Sequence, residues 1–181
     1  MIFHKLRLIN KNQLGFTLFE LLIALAISGV ITGAITSSII QVITGNLRTS
    51  NHMTAVRQVQ DAGYWVSYDA HMAQEEPAIV NNGDGELESI TLTWTKWDTG
   101  EVHQVAYTLE GAGEVRELWR DDNGQRSLVA RFIDPDPAKT SCVWDDDVHT
   151  LTFTVTATVG AGSAQEQSET RVYKIVPRAG A

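Results

Sequence analysis

Hydrophobic positions along the chain fall into three regimes. From Phe16 to Gly45 the sequence reads FTLFELLIALAISGVITGAITSSIIQVITG, apolar on every helical face, and between Phe16 and Leu47 it holds one charge, Glu20. About 20 such residues cross a bilayer core as a helix, so the run predicts a transmembrane helix with a turn or two to spare. Thr32, Thr36, Ser37 and Ser38 suit that helix because their hydroxyls can bond back to its carbonyls. Gly29 and Gly33 are either a close-packing pair, small residues four apart, or ordinary membrane-helix residues.

From Asn46 the apolar positions become helically spaced: Leu47, Met53, Val56, Val59, Gly63, Val66 and Ala70, with no proline through Ala73. The pattern predicts one helix from Thr17 to about Ala73, on the order of 85 Å at 1.5 Å per residue. Gly45 would loosen it where it leaves the lipid. Its end is expected in Gln74-Glu75-Glu76-Pro77, since the residue before proline avoids helical geometry. After the turn cluster Asn81–Gly85 the period changes to two. Ile90, Leu92 and Trp94 alternate with threonines, as do Leu151, Phe153, Val155, Ala157 and Val159. Half-buried antiparallel strands have this pattern. Further strands are expected at Val102–Leu109, Glu114–Arg120, Ser127–Phe132 and Thr170–Val176, with turns at Asp98–Glu101, Gly111–Gly113 and Asp121–Gly124. Val159–Gln167 reads as a loose hairpin tip. The fold class is therefore α+β: a long N-terminal helix packed on an antiparallel head of six or seven strands. The segments are 1–15, 16–45, 46–76 and 77–181.

Charge sharpens this division. The 181 residues carry a formal charge of −8, but Lys5, Arg7 and Lys11 face no acid within the first fifteen. From Phe16 onward there are 11 basic and 22 acidic residues, a formal charge of −11. A basic head, an apolar run and an acidic body describe an anchored protein with its N-terminus in the cytoplasm and its body exported. The acid excess argues against a nucleic-acid binder that works by neutralising phosphates. The single cysteine, Cys142, excludes an internal disulfide framework.

Three readings of the N-terminus compete: a secretory signal cut near Ala24-x-Ala26, a plain signal anchor, and a processed anchor. Glu20 disfavours the first two, because a carboxylate in lipid costs about 2.5–3.5 kcal/mol on insertion scales and so has a partner. The stretch Gly15-Phe16-Thr17-Leu18-Phe19-Glu20, followed by an apolar helix, resembles the N-terminal signature of type IV pilins and pseudopilins. The resemblance implies a pilin-like fold and a prepilin leader over 1–15. It implies cleavage by a prepilin peptidase between Gly15 and Phe16, and N-methylation of Phe16. A glycine at the cut lets the protease approach the backbone closely. Residues 16–45 would form the transmembrane and filament-core helix. Glu20 would pair with a neighbouring subunit's N-terminus, relieving two buried charges at once. Its simpler role is to snorkel to the interface.

Within that family the sequence is similar to the J-type minor pseudopilins and W-type minor pilins. The similarity rests on Tyr107-x-Leu109, Leu118-x-Arg120 and the acid Asp69 near the helix end. The strand-rich head and the absence of paired cysteines also suggest a minor subunit. Such a subunit implies other pilin subunits, an inner-membrane platform and an assembly ATPase as partners. It would help initiate or cap a type II secretion pseudopilus or a type IV pilus.

No nucleophile constellation stands out, and His4, His52, His71, His103 and His149 have no metal-ligand spacing. No cofactor is expected; the weak candidates for calcium are Asp134, Asp136, Asp145, Asp146 and Asp147, since clustered loop carboxylates suit that ion. Acid-rich turns are more often simply solvated. Cys142 reads as a buried apolar residue or an intersubunit disulfide half. Trp97 and Trp144 read as core residues or as a partner-binding patch. The rival functions are a pilin-like tip adhesin that binds DNA or a substrate, and an anchored extracytoplasmic enzyme.

Overall fold

A computed structural model describes residues 16–177. The chain forms two compact units that divide between Ile43 and Thr44, and one helix, α1 (Leu18–Met72), runs through both. In the first unit every residue of α1 is exposed. Thr32, Thr36 and Ser38 donate to the carbonyls of Ser28, Thr32 and Ala34 at 2.8, 2.9 and 3.0 Å. Their hydroxyls are thereby satisfied within the helix, as lipid requires.

The second unit packs the remainder of α1 on an antiparallel sheet of eight strands: β1 (Ala78–Asn81), β2 (Leu87–Thr95), β3 (Val102–Glu110), β4 (Arg116–Asp122), β5 (Gln125–Ile133), β6 (Ser141–Asp145), β7 (Thr150–Val159) and β8 (Gln167–Ile175). Strands β1 to β5 follow one another in sheet order. Along one edge of β7, β6 covers Thr150–Thr154 and β5 meets Ala157; β8 covers the other edge. The sheet has more strands than the period-two signal predicts. The additional ones are β1 and β6, of four and five residues. β1 follows Pro77, and β6 contains Cys142 and Trp144, so neither alternates long enough to stand out.

Helix α1 ends at Met72. Gln74 and Glu75 then donate backbone N–H groups to Thr93 O at 3.0 and 3.4 Å, which turns the chain onto the sheet before Pro77. The buried helix positions are Ala55, Val59, Ala62, Gly63, Val66, Asp69 and Ala70, a stripe at three-to-four spacing made mostly of small side chains. Small residues let the helix lie close to the sheet. Gly63 shows the requirement best: a Cβ there would fall 1.9 Å from Tyr173 Cζ. The Tyr173 hydroxyl passes over Gly63 and donates to Val59 O at 3.0 Å. Opposite this stripe lie Ile90, Leu92, Val105, Tyr107, Leu118, Leu151, Phe153 and Val155, the alternating inward residues of four strand segments.

The β7 to β8 connection is not a loose tip. Gly160 and Gly162 adopt φ of 73° and 73°, which only glycine tolerates easily. The turn is tied to α1 by Asn51 Nδ2 donating to Gln165 O at 2.9 Å and Arg48 donating to Ala164 O at 3.3 Å. These partners are over a hundred residues apart in sequence, so composition alone could not show them. Thr156 and Thr158 on β7 are also buried, although their positions alternate with the core residues. The segment Asp134–Thr140 covers them, and their hydroxyls bond Lys139 O at 2.7 Å and Asp134 Oδ2 at 3.3 Å.

Candidate processing and assembly site

Helix α1 begins with a reciprocal cap. Thr17 Oγ1 accepts from the Glu20 N–H at 3.2 Å, and Glu20 Oε2 accepts from the Thr17 N–H at 3.0 Å and from the Thr17 hydroxyl at 2.9 Å. This Thr-x-x-Glu arrangement satisfies donors that a helix N-terminus otherwise leaves unpaired. It fixes the Glu20 carboxylate at the first turn, three residues from Thr17. Phe16, immediately before, is 89% exposed. Gly15 lies outside the described residues. Gly29 and Gly33 have open space where a Cβ would stand, so no described residue requires them to be small.

A second constellation holds α1 to the sheet. Asp69, 1% exposed, accepts from Arg120 Nε at 2.7 Å and from Arg120 Nη2 at 3.1 Å. The Tyr107 hydroxyl donates to the same carboxylate. Arg120 also reaches Asp122 at 2.9 Å, Asp122 pairs with His103 at 2.9 Å, and His103 Nδ1 meets Asn123 Nδ2 at 2.7 Å. The Trp65 ring lies 5.2 Å from the Arg120 guanidinium carbon. Burial, reinforced by Asp69, pushes the Tyr107 hydroxyl far above its ordinary pKa, and the Asp69 hydrogen bonds hold Arg120 fully charged. Asp69, Tyr107 and Arg120, which carry the sequence similarity to minor subunits, come together at one point in the structure. Sequence reasoning missed Trp65, His103, Asp122 and Asn123. The only available signal was alternation, which puts Arg120 and Asp122 on one face of β4.

The acidic residues separate into two places. Asp134 accepts Lys139 Nζ at 2.7 Å and Asp136 caps the N–H of Ala138 at 2.9 Å. Both line a cavity of about 570 Å³ with Glu86, Glu114 and Glu166. Asp145 caps the N–H of Asp147 at 3.0 Å in the β6 to β7 turn, and Asp146 accepts Trp144 Nε1 at 2.7 Å. Among the described residues no three His, Cys, Asp or Glu side chains converge as metal ligands. Cys142 is buried and unpaired, its thiol pushed up to about 12 by burial. Trp97 is 96% exposed in the β2 to β3 turn, whereas Trp144 is half-buried beside the β6 to β7 turn.

The site and fold therefore define a class: an α+β protein that has, among the described residues, one apolar helix long enough to cross a membrane, capped in its first turn by Thr17 and Glu20. Comparison with protein families places the prokaryotic N-terminal methylation motif at residues 10–36. That motif spans Gly15, Phe16 and Glu20, and it is the processing signature of type IV pilins and pseudopilins. Over those residues the chain is similar to type IV pilins and pseudopilins, and the helix-on-sheet architecture is pilin-like, which supports that family. Neither the curated proteins nor the solved structures contain a significant match. Members of this family are processed by prepilin peptidase and associate with other pilin subunits, and the apolar helix fits a membrane-anchored pilin.

Proposed function

We propose that this chain is a minor pilin or minor pseudopilin, a structural rather than catalytic subunit that helps initiate or cap a filament. One observation carries the reading. The apolar side chains of α1 from Leu18 to Ile43 are exposed among the described residues, and Glu20 stands among them at the first turn. Burying so much apolar surface is strongly favourable, so lipid before assembly and neighbouring helices after it must cover this face. A charge in that environment needs an opposite charge. Cleavage before Phe16 creates an ammonium group four residues from Glu20, on every subunit. Pairing Glu20 with the Phe16 ammonium of a neighbour satisfies both groups and sets an axial register.

Support for a minor role comes from the strand-rich head and from the lone Cys142, which leaves no internal disulfide. The basic residues Lys5, Arg7 and Lys11 support a cytoplasmic N-terminus with the head exported. An inner-membrane platform and an assembly ATPase would supply the work of extraction from lipid.

The test is complementation of a strain lacking this chain. Filament or secretion activity should return with the native chain and stay absent with Glu20→Ala, with cleavage of that variant before Phe16 verified by mass spectrometry. Quantitative mass spectrometry of sheared filaments should find the chain far below the most abundant subunit. A chain as abundant as that subunit would contradict the minor role.

A further inference from the structure

A cavity of about 590 Å³ opens where the chain leaves α1, between Ala73–Glu76, the β6 to β7 turn and the end of β8. Its walls divide by chemistry. Ala73, Trp144, Val148, Val176 and Pro177 are apolar or aromatic, while Glu75, Glu76 and Asp146 bring three carboxylates, and among the described residues no Lys or Arg lines it. None of the three carboxylates is in an ion pair among the described residues, whereas Glu86, Glu110, Asp134 and Asp69 all are. The aromatic wall is held in place. Trp144 Nε1 donates to Asp146 Oδ1 at 2.7 Å, and the His149 ring stands 6.1 Å from the indole. His149 is kept in a left-handed backbone conformation with φ of 46°, an arrangement that costs energy away from glycine.

We propose that this cavity is a docking site for an arginine-bearing basic segment of another protein. An arginine fits both halves of the lining. Its planar guanidinium can lie against the indole face while its N–H groups reach carboxylates in pairs, and its methylene stem covers Val148 and Pro177. A lysine would supply charge without the flat stacking surface or the bidentate fork. The volume of about 590 Å³ exceeds that of one side chain and leaves room for the residues flanking the arginine. The inference goes beyond the assembly reading and stands independently of it, since no cavity residue belongs to the helix region that assembly uses.

The test measures binding of a fluorescein-labelled, end-blocked Gly-Arg-Arg-Gly peptide to the full chain in detergent micelles, with Gly-Lys-Lys-Gly in parallel. The arginine peptide should bind saturably and more tightly than the lysine peptide. The triple variant Glu75→Gln, Glu76→Gln, Asp146→Asn should weaken it about tenfold or more. A charge-matched variant away from the cavity, Glu88→Gln, Asp98→Asn, Glu101→Gln, should stay within about twofold of the native chain. Val148→Arg places a cation at the cavity wall on an exposed residue, so it leaves folding intact and should abolish binding. Arg178→Ala should leave binding unchanged. Equal weakening by the two triple variants would overturn the proposal by showing only diffuse attraction to an acidic protein. Strong tightening in Arg178→Ala would overturn it by assigning the cavity to the chain's own Arg178.

Discussion

Asp69 on α1 and Arg120 on β4 form a two-point ion pair, 2.7 and 3.1 Å, with the carboxylate 1% exposed. A buried pair of this kind contributes little net stability compared with a well-packed apolar replacement, but breaking one side leaves the other charged and unpaired. It therefore fixes which turn of the helix meets which strand more than it strengthens the fold. Asp69→Asn should lower stability by about 3–5 kcal/mol, because Arg120 keeps its charge in a site that is largely closed to water. Tyr107→Phe should cost only about 1 kcal/mol, since Asp69 retains Arg120. Urea unfolding of the full chain in micelles checks both. If Asp69→Asn cost no more than Tyr107→Phe, the pair would not be holding the helix.

Gly63 and Tyr173 give a steric counterpart. Gly63→Ala introduces a methyl where the Tyr173 ring stands, and should destabilise the head by about 1–3 kcal/mol. Tyr173→Leu alone loses the hydrogen bond to Val59 O and ring packing. Combined with Gly63→Ala it should cost less than the sum of the two single changes, because the smaller side chain makes room for the methyl. Strict additivity in thermal melts would mean the ring moves aside freely.

Much of this was legible in the sequence. The apolar run, the Thr17-x-x-Glu20 spacing and the threonine-interleaved strands each report a single local period, so helix, cap and long strands could be read directly. Short strands β1 and β6 have too few residues to establish a period. The pinned turn at Gly160–Glu166 and the Asp69 cluster depend on partners 38 to 116 positions away, and nothing local announces them. Thr156 and Thr158 look like outward residues by alternation; a covering segment that crosses them makes them buried.

Glu86 predicts an acid-dependent contribution. The Arg116 guanidinium, followed by the Asn82 amide, holds its carboxyl below the ordinary value of 4.5. The unfolded chain then takes up this proton more readily than the folded one. The stabilisation is complete above pH 4.5 and is lost as pH falls through the depressed folded value. Arg116→Gln should raise the Glu86 midpoint toward 4.5 in a side-chain carbonyl NMR titration. A midpoint that did not move would show that Arg116 does not set it.

Cys142 should be inert in the folded chain. It is buried on β6 and its thiol is pushed up to about 12, so almost no thiolate is present near neutral pH. Maleimide at pH 7.5 should label it only after unfolding in denaturant. Rapid labelling of the native chain would place the thiol at the surface and reopen an intersubunit disulfide.

The central claim is that the chain is processed as a pilin, and the mature N-terminus tests it most directly. Intact-mass and N-terminal peptide spectra should be taken from cells with and without prepilin peptidase. The account predicts a chain beginning at N-methylated Phe16 only when the peptidase is present, with Glu20 as its fifth residue. An intact Met1 in both, or a cut near Ala26 that does not depend on the peptidase, would contradict it.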